Sequence, residues 1–151
     1  MVIFPPVASG SKITIGPGTV ISFNNRMGIQ WGGGGADIDV IGTPSKPVKI
    51  IGNKSTSSLQ GGLGMFNGQG KVANCIISEN GCSGIAEIAG ATLLQGFTSV
   101  SSCIIAGNTG DGIHLDDNAV SHSIPMSISN VTFANNTQSA MEITATNLNT
   151  T

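Results

Sequence analysis

Apolar residues in this chain recur two apart, and the pattern returns in register every 28 positions. Lys71-Val72-Ala73-Asn74-Cys75-Ile76-Ile77 leads to Gly84-Ile85, Ser99-Val100-Ser101-Ser102-Cys103-Ile104-Ile105 leads to Gly112-Ile113, and Ser127-Ile128 leads to Ala140-Met141. Aligned, these segments give apolar columns: Val72, Val100 and Ile128; Val48, Cys75, Cys103 and Val131; Ile50, Ile77, Ile105 and Phe133; Ile85, Ile113 and Met141. A spacing of two is that of a strand with one buried face. A helical repeat would place apolar residues three and four apart, and no segment does so for long. A fixed period of this length predicts a solenoid whose coils are built from short strands.

Polar, Gly- and Asn-rich bends separate the second and third strands of each coil: Glu79-Asn80-Gly81, Gly107-Asn108-Thr109 and Asn135-Asn136-Thr137. Asn53, Asn80, Asn108 and Asn136 each follow an inward Ile or Phe by three residues. Asn tolerates left-handed backbone and bonds its neighbours, and stacked Asn amides can bond along a ladder. The N-terminal half follows the same plan more loosely. Ile13–Ile15, Val20–Phe23, Ile29–Trp31, Ile38–Val40 and Val48–Ile50 read as strands, while Gly42-Thr43-Pro44-Ser45-Lys46-Pro47 reads as a turn. Residues 54–70, rich in Ser and Gly, read as an irregular insert. Residues 1–12 read as an entry segment and 144–151 as a tail, with about five coils across a single domain spanning 1–151.

The blocks from Asn74 to Ile85 and from Ser102 to Leu115, with Ile15-Gly16-Pro17-Gly18-Thr19-Val20-Ile21-Ser22-Phe23, resemble the right-handed parallel β-helix repeat family. This pectate-lyase-like fold is shared by pectate lyases, polygalacturonases, alginate-processing enzymes, phage tailspikes and many bacterial surface proteins. The resemblance implies an all-β, right-handed, single-stranded parallel β-helix. It implies little about activity, because one fold hosts many functions.

Charge is divided along the chain. Lys12, Arg26, Lys46, Lys49, Lys54 and Lys71 are the basic residues and all precede position 72, where Asp37 and Asp39 oppose them, giving +4. Glu79, Glu87, Asp111, Asp116, Asp117 and Glu142 follow with no Lys or Arg, giving −6. In a solenoid, sequence position is axial position, so opposite ends carry opposite charge and head-to-tail association is favoured at low salt. Coil ends expose unpaired backbone groups that repeat proteins usually cap, and the tail from Thr144 is short for that purpose. Ile76 and Ile104 fall on outward positions and suggest a lateral contact.

The composition excludes several classes. No apolar run approaches the roughly 20 residues of a membrane span. Met1–Pro6 lacks the basic start and long apolar core of a secretion signal, while the resemblance is to largely exported proteins. No basic, aromatic-laced surface suggests nucleic acid. Gly32–Gly35 precedes no Lys-Ser/Thr and is not a phosphate loop, and Trp31 reads as an edge or core filler. Cys75 and Cys103 share an inward column, where a buried thiol stack is favoured over a bridge, and Cys82 is expected in an exposed bend.

Candidate chemistry centres on the third strand. Ala86, His114 and Glu142 share an outward column, with Glu87, Asp111, Asp116 and Asp117 nearby, and such a cluster could do acid–base work or hold Ca²⁺. Asp116-Asp117 is similar to the paired aspartates of the pectin hydrolases, but no Gly-His-Gly follows, and the sole arginine, Arg26, is far away in sequence. Strict alignment puts Glu87 with inward Leu115, so a one-residue shift that turns Ala86 and Ile88 inward is expected. The leading expectation is a non-catalytic extracellular structural or adhesive module, a cofactor-free protein whose partners are copies of itself or further coils. The alternative is a carbohydrate-binding or polysaccharide-processing module using His114, Glu142, Asp116 and Asp117.

Overall fold

A computed structural model describes residues 2–3, 11–23, 29–32, 37–52, 61–66, 69–88, 97–117 and 127–145. These form strands only: β1 (Val2–Ile3), β2 (Lys12–Ile15), β3 (Val20–Ser22), β4 (Ile29–Gly32), β5 (Asp37–Ile41), β6 (Val48–Ile51), β7 (Gly61–Phe66), β8 (Gly70–Ala73), β9 (Cys75–Ser78), β10 (Ser83–Ile88), β11 (Phe97–Ser101), β12 (Ile104–Ala106), β13 (Ile113–Asp117), β14 (Ser127–Ser129), β15 (Thr132–Ala134) and β16 (Met141–Ala145). Every third strand belongs to the same sheet. The orders are β1-β4-β7-β10-β13-β16, β2-β5-β8-β11-β14 and β3-β6-β9-β12-β15, all parallel. The chain is a parallel β-solenoid, and its strand order makes sequence position axial position. No helix among the described residues is long and apolar enough to cross a membrane.

The sequence columns are the core. Ile38, Val40, Val48, Ile50, Leu63, Val72, Ile77, Ile85, Val100, Ile105 and Ile113 are fully buried, and Cys75 and Cys103 are nearly so. At roughly 1.5–3 kcal/mol for each buried aliphatic side chain, this column is the main driving force for coiling. Its neighbours in the end coils, Ile13, Ile15, Ile21, Ile128, Val131 and Phe133, are only partly buried.

Single residues turn the corners. Asn74, Ser102 and Asn130 have φ of 51°, 52° and 53° between the second and third sheets' strands. At the next corner, Gly52, Glu79, Gly107 and Asn135 have φ of 81°, 58°, 65° and 53°. The left-handed residue therefore immediately precedes each ladder position, and the ladder Asn side chains bond along the axis. Asn80 Nδ2 donates to Asn108 Oδ1 at 2.9 Å and Asn108 Nδ2 to Asn136 Oδ1 at 2.8 Å. The same oxygens accept the Asn80 and Asn108 backbone N–H groups at 3.2 Å. Asn53, expected as the first rung, lies outside the described residues.

Three expectations are corrected. Residues 54–70 are not simply an irregular insert, because β7 lies within them and pairs with both β4 and β10. The entry segment 1–12 contains β1, paired with β4. Glu87 undergoes no register shift: Ile85 pairs with Ile113, Ala86 with His114 and Glu87 with Leu115, as strict alignment requires. Cys82 is buried at 3% exposure rather than lying in an open bend. Bends stack as strands do, and Gly110 of the next coil donates its N–H to the Cys82 carbonyl at 3.1 Å.

All three cysteines are buried. Cys75 donates to the carbonyls of Ala73 and Val40 at 3.2 and 3.4 Å, and its thiol is held protonated by its hydrogen bond with Cys103 and by burial. Burial pushes the Cys82 thiol up to about 11 from 9.0. A folded value above the unfolded one favours the neutral thiol in the fold, so this stability is present below pH 9 and is lost as pH rises toward 11. Urea melts from pH 8 to 11 should show an alkaline loss that Cys82→Ala reduces by about 2–3 kcal/mol, the remainder belonging to groups such as Cys75. An equal loss in the variant would place the alkaline sensitivity elsewhere.

Candidate functional site

The corner before β13 and the outward faces of β13 and β16 bring together Asp111, His114 and Glu142. Asp111 sits in a column with Ser83 and Ser139, one coil to either side. Its N–H donates to Ser83 Oγ at 3.2 Å, and its Oδ1 accepts the Ser139 N–H at 2.9 Å. Its carbonyl accepts from Gly84 N at 3.0 Å. The carboxylate is thereby buried and fixed, with Oδ2 directed at His114 Nδ1, 3.1 Å away. Glu142 pairs with His114 in strand register and reaches the same nitrogen with Oε2 at 3.4 Å. The side-chain exposures are 2% for Asp111, 12% for His114 and 48% for Glu142, so the cluster runs from the core to solvent.

His114 and Glu142 thus come together as their shared column predicts, and Ala86, the residue below them in that column, is buried. Asp116 and Asp117 lie further along β13, paired with Thr144 and Ala145 in backbone register. The cluster's inner member is Asp111, which the sequence places nearby but does not single out. The signal for it was present in the spacing of Ser83, Asp111 and Ser139 at 28 residues, a polar column at a corner. Among the described residues, this is the one His/Cys/Asp/Glu group whose ligand atoms all lie within 4.8 Å of one another.

A second polar site lies toward the other end of the axis. Lys12 Nζ meets Asp39 Oδ2 at 2.6 Å, and this hydrogen bond and charge raise the lysine's pKa. Asp39 Oδ1 also accepts the Lys71 N–H at 3.2 Å, and Asp37 Oδ1 accepts the Gln69 N–H at 3.3 Å. These carboxylates are committed to the neighbouring coil's backbone, which is a structural role.

Ile76 and Ile104 are paired outward neighbours, as expected. Their column runs from Val20 through Lys49, Ile76 and Ile104 to Thr132, so a lysine interrupts the apolar stripe. Ile104 is 46% exposed.

No family model, curated protein or solved structure matches the chain.

Proposed function

We infer that the chain is a non-catalytic structural or adhesive module of the cell exterior that associates with further copies of itself through its coil ends. The observation that carries this reading is the solvent exposure of the core column in the coil of β16, the furthest of the described coils along the axis. Met141 and Ile143 continue the column of Ile113 and Leu115, yet they are 41% and 47% exposed. The coil of β2 and β3 offers partly buried Ile13, Ile15, Ile21 and Phe23 at the opposite end. Among the described residues, β2 and β3 on one side and β14 and β15 on the other pair with a strand on one edge only. The segregation of basic residues before position 72 and acidic residues after it orients such a contact head to tail.

Ala140 sets the form of the joint. It stands where the two preceding coils have Gly84 and Gly112, and a Cβ at those sites would come within 2.6 Å of Ile105 Cγ2 and 2.5 Å of Phe133 Cδ1 in the next coil. Stacking at the ordinary coil spacing would meet the Ala140 methyl in the same way. The joint is therefore an offset docking of two ends, not a seamless continuation of the solenoid. Sedimentation velocity should find concentration-dependent association at low salt that Ile143→Glu weakens at least tenfold and Ala140→Gly strengthens. A monomer insensitive to both substitutions would refute the reading.

A second reading is a polysaccharide-binding or -processing module of the pectate-lyase-like superfamily. It is supported by the Asp111–His114–Glu142 cluster on an outward strand face, where a glycan could reach His114 and Glu142.

A further inference from the structure

We propose that Asp111, His114 and Glu142 form a three-ligand site for a borderline divalent cation such as Zn²⁺, clamping the last coil to the one before it. Zinc binds His nitrogen and carboxylate oxygen at about 2.0–2.2 Å, and a tetrahedron of that radius has edges of roughly 3.4 Å. The separations from His114 Nδ1 are 3.1 Å to Asp111 Oδ2 and 3.4 Å to Glu142 Oε2, so two edges are already close to that length. The third lies within 4.8 Å and closes by rotation of Glu142, the one exposed member. The fourth position is left to water or an incoming ligand.

The supporting contacts are those of a built site. A metal-bound carboxylate or imidazole is held by a further partner that fixes its orientation. Asp111 meets this condition, because Ser139 N–H occupies Oδ1 and leaves Oδ2 as the atom that faces the cluster. A buried carboxylate thus points an acceptor at a ring nitrogen and a second carboxylate. His114 would bind through Nδ1 as the Nε2–H tautomer, with the cation taking the place of the Nδ1 proton. One nitrogen and two oxygens suit Zn²⁺, Co²⁺ or Mn²⁺. Calcium, which takes six to eight oxygens at 2.3–2.6 Å, is poorly served by this set.

The cation would span coils. Asp111 and His114 belong to the coil of β13, and Glu142 to that of β16, whose own residues are mostly exposed. Binding would therefore tie this largely exposed coil to the more buried one before it.

The test is a calorimetric titration of the chelator-treated full chain with Zn²⁺, repeated with Co²⁺ as a spectroscopic probe. One equivalent is expected to bind, with the intense visible bands of four-coordinate Co²⁺ and a rise of about 5 °C in melting temperature at a hundredfold excess over Kd. His114→Gln and Glu142→Gln should each weaken binding at least tenfold. Glu142 is exposed, so its variant should keep the metal-free melting temperature and separate ligand loss from unfolding. Absence of saturable Zn²⁺ binding, binding indifferent to Glu142→Gln, or binding of Ca²⁺ alone would each overturn the proposal.

Discussion

Asn108→Ala is expected to lower the unfolding free energy by about 3–5 kcal/mol, on the strength of the hydrogen bonds it removes from the interior. Asn108 is fully buried at the centre of the ladder. Its Oδ1 accepts from the backbone N–H and the Nδ2 of Asn80, and its Nδ2 donates to Asn136 Oδ1 and the Ile77 carbonyl. Alanine supplies none of these. The Asn80 N–H loses this acceptor inside the molecule, where each buried group so deprived costs about 1–3 kcal/mol. Against a typical total of about 5–15 kcal/mol, the loss is a large fraction of the fold's stability and should lower the melting temperature by about 10 °C. Asn136→Ala should cost less, because Asn136 is only part-buried and terminates the described ladder. Urea denaturation of the two variants gives the ranking; a loss below about 1 kcal/mol for Asn108→Ala would mean that the amides merely fill space.

The second large effect is expected at Gly84. A Cβ there would lie 2.6 Å from Ile105 Cγ2, 2.9 Å from the Gly112 carbonyl oxygen and 3.0 Å from Asn108 Nδ2. Two of these three belong to fixed parts of the structure: a backbone oxygen and the ladder amide. Relief would have to separate two coils along the axis, which weakens the parallel pairing on either side. Gly84→Ala is accordingly expected to cost about 3 kcal/mol, at the upper end of ordinary overpacking. Gly16 provides the control, since nothing lies within 4 Å of a Cβ built on it, and Gly16→Ala should stay within about 0.5 kcal/mol of the parent. Equal melting temperatures for the two variants would show that the coils are not in the close contact described.

The same contact explains how the repeat could be read from the chain. Where inward residues are aliphatic, the corner beside them glycine and the ladder residue Asn, each coil presents the next with the same surface, and the spacing repeats in the sequence. Cys75 over Cys103, Ile77 over Ile105 and Asn80 over Asn108 are therefore visible as columns. β7 was hidden because Gly61-Gly62-Leu63-Gly64 has a single apolar side chain in its first four residues and no alternation. Its glycines reflect neighbours: a Cβ on Gly62 would fall 2.6 Å from Asn80 Nδ2, and one on Gly61 would fall 2.7 Å from Ala86 N. Pairing with strands on both sides, not local propensity, makes this segment a strand. Cys82 was misplaced for a related reason. A polar bend suggests exposure, but in a solenoid the bends are themselves stacked, and only those at the ends are open.

The candidate site was half legible. His114 and Glu142 share a column, and the alignment finds them. Asp111 lies at a corner, off the alternating strand pattern, and its importance follows from the Ser139 N–H that turns its carboxylate toward His114. Asp116 and Asp117 stand out in the sequence as adjacent acids, and β13 carries them two and three residues beyond His114.

We propose that the two ends of this solenoid meet between copies of the chain, and electron microscopy of the purified protein at low and at high salt is the measurement to make. Rods or filaments of end-to-end copies are expected at low salt, shortening or dispersing as salt screens the opposed charges. Uniform particles of single-copy size under both conditions would contradict it.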